Sequence, residues 1–279
     1  MKTDFRALGV LVVLTALPAI VGCSTDFTPA NEVHGLRVLA VRGEPPTVPL
    51  GDETVIDALV VTPDDGPITL KWELCEYTLG ADDLRLCPAE TVLASGQGDA
   101  LAFTFTEAVA SRVSRYCDPS GDLAGQIPDG AQLPICGSQG FPATVRLVAS
   151  GDGEEVVAVK TVYLHLPPGG QGVPVEPNQN PEISGLEGVP DSVEPGSTGT
   201  VSCTVDEESV EMVPDLDGEL VEEEIDYLWF IAGGKLRDDT GEQIEFAADT
   251  DAERVTLWCV VQDGRGGVDW GRCDIPIES

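Results

Sequence analysis

The segment "ERVTLWCVVQDGRGGVDWGRCDIPI" (253–277) constrains the fold more tightly than any other stretch of the chain. It holds two runs of alternating β-branched and apolar residues around a glycine-rich centre, the pattern of a hairpin with one buried face. Alternation places Val255, Leu257, Cys259 and Val261 together. Closure symmetric about Arg265 adds Cys273, Ile275 and Ile277 to that face.

Similar runs recur along the chain. "LRVLAVRG" (36–43) alternates Leu36, Val38 and Ala40 against Arg37, Leu39 and Val41, and the proline-rich "EPPTVPLGD" reads as a turn. "TVIDALVVT" (54–62) is a β-branched run. "ITLKWELC" (68–75) groups Ile68, Leu70, Trp72 and Leu74, and "DALAFTFTE" (99–107) groups Leu101, Phe103 and Phe105. "ATVRLVASG" and "EEVVAVKTVYLHL" form a hairpin around "SGDGEE". In the second half "GTVSCTVDE" (199–207) aligns Val201, Cys203 and Val205, and "DYLWFIAGGKL" (226–236) aligns Tyr227, Trp229 and Ile231. Short strands punctuated by turn residues predict an all-β chain of two tandem antiparallel β-sandwiches.

The predicted organisation is a signal segment 1–22, a tether 23–35, a sandwich 36–165, a linker 166–182 and a second sandwich 183–279. The linker "LPPGGQGVPVEPNQNPE" crowds proline and glycine and has no hydrophobic period. Two insertions interrupt the first sandwich. One is "CEYTLGADDLRLCPAE"; the other spans about 108–140 and begins "EAVASRVSRY", two or three helical turns after Thr106.

Residues 1–22, "MKTDFRALGVLVVLTALPAIVG", place Lys2 and Arg6 before an uncharged run from Ala7 to Val21 and then Gly22. That is the layout of a cleaved secretory signal helix, and the run is short for a membrane span. "IVGC" resembles the lipobox of bacterial lipoproteins. The resemblance implies lipidation of Cys23 by diacylglycerol and palmitate-type acyl chains, with cleavage before it. Two or three chains suffice for stable anchoring. Ser24, where that family's inner-membrane retention signal is Asp, implies an outer-membrane address, periplasmic or surface-exposed.

Export implies an oxidising compartment, so the remaining seven cysteines are read first as disulfide candidates. Cys75 with Cys87 and Cys117 with Cys136, each pair inside one insertion, is the simplest of three connectivities. The order Cys203, Trp229, Cys259 resembles the pin of the immunoglobulin fold, and "VVQDGRGGVDW" resembles the last hairpin of PKD-like modules. The pin implies a Cys203–Cys259 bridge and leaves Cys273 free. The acidic segment "EESVEMVPDLDGELVEEEID" lengthens the Cys203–Trp229 spacing, so the resemblance is to sandwich architecture.

The formal charge of −34, from 49 acidic and 15 basic residues, disfavours nucleic acid and anionic headgroups as partners. No CxxC occurs, and the two histidines, His34 and His165, lie far apart, so zinc is not expected. GxSxG, HExxH and the P-loop pattern are absent, and "GDGEE" and "DGRGG" join strands instead of opening helices. Asp215, Asp217 and Glu219 alternate as calcium ligands do, but Gly218 breaks the EF-hand spacing. No cofactor is expected. The sequence reading is therefore a lipid-anchored, non-enzymatic envelope protein for adhesion, scaffolding or binding of a protein or glycan. The alternative is a carbohydrate-active hydrolase with paired carboxylates in a cleft between modules.

Overall fold

The computed structural model describes residues 29–80, 85–117, 136, 139–166, 177–214 and 219–278. The predicted signal segment, Cys23, most of the proposed linker, Asp215 and Asp217 lie outside the described residues.

The first sandwich contains β1 (Arg37–Glu44), β2 (Thr47–Pro49), β3 (Glu53–Val61), β4 (Thr69–Cys75), β5 (Val92–Gln97), β6 (Ala100–Thr104), β7 (Phe141–Gly151) and β8 (Glu154–His165). One sheet is ordered β1-β3-β6 and the other β2-β8-β7-β4-β5. Pairing is antiparallel except for β2 beside β8. The β7–β8 hairpin closes through Asp152 and Gly153, both at positive φ, as tight hairpin turns require. Trp72, Leu74, Ile56, Phe105, Val145 and Leu164 fill the space between the sheets. The faces expected for β4 and β6 are buried as read.

The second sandwich contains β9 (Ile183–Glu187), β10 (Thr198–Val205), β11 (Met212–Pro214), β12 (Leu220–Glu222), β13 (Asp226–Ala232), β14 (Gly234–Leu236), β15 (Gln243–Ala248), β16 (Arg254–Gln262) and β17 (Val268–Pro276). Its sheets are β14-β15-β10-β9 and β13-β16-β17, with β11 and β12 pairing as a separate hairpin. β16 and β17 pair from Arg254↔Pro276 to Gln262↔Val268, which centres the hairpin on Arg265 as expected. Trp229, Val201, Ile244, Phe246, Leu257 and Ile275 form the core. The two sandwiches solve one problem alike: each buries a tryptophan whose indole N–H would otherwise lack a partner. Trp72 Nε1 donates to Gly98 O at 2.8 Å, and Trp229 Nε1 donates to Gly241 O at 2.9 Å.

Two local readings are corrected. "EPPTVPLGD" is more than a turn, because Thr47–Pro49 crosses to the opposite sheet and pairs with Tyr163–His165. In β1 the alternation breaks at Leu39, where the register against β3 shifts between Val38 and Ala40. The bulge turns Ala40 outward and Val41 inward.

That outward face is covered. β16 is buried on both sides: Leu257 and Cys259 face their own core, while Trp258 and Val260 face the first sandwich. Trp258 packs with Val33 and Val61, and Val260 with Ala40, Leu39 and Leu59. Polar contacts frame this seam. Arg42 bonds Asp57 at 2.8 Å and Asp269 at 2.7 Å and lies 4.3 Å over the Trp270 ring. Asp65 accepts from Arg254 at 2.6 Å and from Arg272 at 3.1 Å. The segment before β1 joins in as well. Ile231 N donates to Asn31 O and Val33 N donates to Ile231 O, so residues 31–33 lie along the edge of β13.

Candidate functional site

β4 runs from Thr69 beside Ser150 to Cys75 beside Thr144, so its seven residues span the first sandwich, about 23 Å at roughly 3.3 Å per residue. At its start lie the β7–β8 turn and Leu36, whose N–H donates to Glu154 at 2.8 Å. At its end lie the described parts of both insertions. The N-terminal segment and the insertions therefore occupy opposite poles.

Each insertion is closed by its own disulfide, Cys75–Cys87 and Cys117–Cys136, as the simplest connectivity requires. Nothing in the local pattern marks the two insertions as neighbours. Thr106 caps the helix α1 (Glu107–Val113) by accepting from Val109 N, and α1 turns Ala110 and Val113 into the core. Arg112, Arg115 and Tyr116 are thereby directed at Glu76, next to Cys75 and fully buried. Arg112 Nε donates to Glu76 Oε1 at 2.7 Å, and Arg115 Nη2 and Tyr116 OH donate to Oε2 at 3.0 and 2.8 Å. Arg112 Nη2 also donates to Glu90 O at 3.0 Å.

This arrangement compensates a carboxylate that burial alone would destabilise. Tyr116 stands edge-on to Tyr77 and tilted against Phe141. Burial, with the hydrogen bond to Glu76, pushes its hydroxyl up to about 12, so it remains a donor at neutral pH. The result is one platform of two stapled segments, with Leu86 more than half exposed upon it.

No family model matches the chain. No curated protein matches it either. Among solved structures, a chimeric titin Z1Z2-Z1Z2 tandem functionalised with a GRGDS peptide from fibronectin is 14% identical. That match covers 88% of this chain and 100% of that one, with a TM-score of 0.28. The N-terminal Ig1-2 module of the Drosophila receptor protein tyrosine phosphatase DLAR is 13% identical over 88% of this chain and 100% of that one, with a TM-score of 0.27. Three N-terminal domains of the bacteriophage RB49 outer capsid protein Hoc are 10% identical, with a TM-score of 0.25. The match spans 87% of this chain and 59% of that one.

The remaining sequence candidates are dispersed. Glu219 lies beside β12, and its companions Asp215 and Asp217 fall outside the described residues. Among the described residues no group of three or more histidine, cysteine or acidic side chains is arranged for a metal. His34 pairs with Glu32 at 2.9 Å before β1, and His165 ends β8. The expected Cys203–Cys259 bridge is not formed. Both residues carry buried free thiols, and a hydrogen bond between them, followed by burial, raises the Cys259 pKa well above the ordinary thiol range. Cys273 is a half-buried free thiol, and burial, then Asp274, pushes its pKa up to about 11.

The hydrolase alternative needs a cleft between the modules with two facing acids. The cavity at the seam has a volume of about 220 Å3 and no carboxylate in its lining, whereas a larger one of about 610 Å3 beside the N-terminal segment is lined by Glu32, Glu154 and Glu155, of which Glu32 pairs with His34 and Glu154 accepts from Leu36 N. The acids around the seam, Asp57, Asp65 and Asp269, are each engaged by arginine.

Proposed function

We propose that this is a non-catalytic envelope protein, anchored by lipid on Cys23, which binds a protein or glycan partner with the stapled pole of its first sandwich. The observation that carries the reading is the convergence of two disulfide-closed insertions on Glu76, at the pole opposite the N-terminal segment. Rigid strands that position stapled loops are a common basis for recognition. An anchor ahead of residue 29 would hold the opposite pole near the bilayer and leave the platform facing outward.

Mass spectrometry of the N-terminal peptide tests the anchor: acylated Cys23 as the first residue is expected, and an intact Met1 without acyl groups refutes it. A photo-crosslinking residue at Leu86, compared with one at Leu220 on the second sandwich, tests the surface. A discrete adduct from position 86 alone supports the platform, and an adduct from position 220 alone assigns binding elsewhere.

A further inference from the structure

The seam cavity is lined by residues of both sandwiches, among them Leu39 and Ala40 from the first and Leu228, Val260 and Val268 from the second. One charged residue lines it, Lys160 of β8. Among the described residues no carboxylate lies within ion-pair distance of the Lys160 ammonium. The acid whose field reaches it, Asp263, is already committed: its oxygens accept from Asn178 Nδ2 at 2.7 Å, Arg265 N at 2.7 Å and Gly267 N at 2.9 Å. The remaining polar lining residue is Gln262. A cation held against an apolar wall without a counter-ion favours a ligand that supplies one negative charge and an aliphatic body.

We propose that this cavity is a binding site for a small aliphatic carboxylate, with the carboxylate on Lys160 and the hydrocarbon between the two sandwiches. The volume matches such a ligand, since about 220 Å3 equals roughly seven waters at about 30 Å3 each. Burial lowers the Lys160 pKa, with Asp263 acting in the opposite direction, so a bound carboxylate would also restore the ammonium's preference for its charge. The site draws on both modules, so occupancy strengthens the seam by mass action. This inference is independent of the platform on the first sandwich.

The test is calorimetric titration of the full-length chain with sodium hexanoate, 1-hexanol and hexylammonium chloride. Hexanoate is expected to bind at least about tenfold more tightly than hexanol, the size of a charge-assisted hydrogen bond, and hexylammonium not to bind. Lys160→Gln should abolish the preference for hexanoate while leaving hexanol binding unchanged. Equal binding of hexanoate and hexanol to the wild-type chain overturns the proposal. Should Lys160→Gln fail to fold, NMR of the wild-type chain with 13C-dimethylated lysines gives the second readout: a saturable shift of the Lys160 signal supports the site, and an unmoved signal overturns it.

Discussion

Arg112 and Glu76, 36 residues apart in sequence and in different insertions, meet with the guanidinium nitrogen 2.7 Å from the carboxylate oxygen. The acid is fully buried while the arginine is partly exposed. The pair therefore joins solvent-facing α1 to the end of the core strand β4.

Removing the cations strands the acid. Arg112→Met with Arg115→Met leaves Glu76 with the Tyr116 hydroxyl alone and should destabilise the chain by about 2–3 kcal/mol, below the fully buried case because both arginines already contact water. Urea denaturation checks this. A change under about 0.5 kcal/mol would mean that the network does not hold the platform together.

The stapled loops should be costly to open. Cys117→Ser with Cys136→Ser removes a closure over 19 residues, and the Cys75 and Cys87 pair one over 12, each contributing about 3 kcal/mol in the chain-entropy model. Denaturation with and without reductant should reproduce the variants' losses. Reductant should have no further effect on a chain lacking all four cysteines.

Cys203 and Cys259 should resist alkylation in the folded chain, because both are buried, and at Cys259 the hydrogen bond with Cys203, then burial, disfavours the thiolate. Iodoacetamide is expected to label Cys273 slowly and the other two only after unfolding. Rapid native labelling of Cys259 would refute the buried arrangement.

The Asp65 lock gives the seam a pH dependence. Its hydrogen bond from Arg272, and then that from Arg254, hold the carboxyl below its ordinary value of 3.8. The folded state thus binds fewer protons than the unfolded one, so the contribution is present above about pH 4 and fades as pH falls through the lowered folded pKa. Asp65→Asn should be less stable than wild type near neutrality and converge with it in strong acid. A stability difference that stays constant down to that range would rule out this linkage.

Trp258 couples the modules. Trp258→Ala should cost about 3–5 kcal/mol and split one cooperative calorimetric transition into two, because its side chain packs outward on Val33 and Val61 instead of inward. A single transition persisting in the variant would show that the seam's other contacts suffice.

The strands with clean alternation were legible because a two-residue period leaves one solution when a single face is buried. Leu70, Trp72 and Leu74 in β4 obey it, as do Leu257 and Cys259 in β16. β2 and β5 were not legible: one is a three-residue strand ending in proline, and the other, "VLASGQ", carries serine and glycine in its second half. The seam left a trace in "VTLWCVV", where the expected polar face is instead Thr256, Trp258 and Val260. Nothing in that run identifies Leu39, Val61 and Val33 as what covers it.

Local pattern alone determined the strand periods, the Arg265-centred hairpin and the helix start at Thr106, since each depends on neighbours within a few residues. The tertiary structure decided the Glu76 network, the Lys160 cavity, the Asp65 lock and the docking of residues 31–33 on β13. Each joins side chains or backbone from distant segments, and their proximity follows from how two sandwiches pack, a quantity that no short-range period encodes.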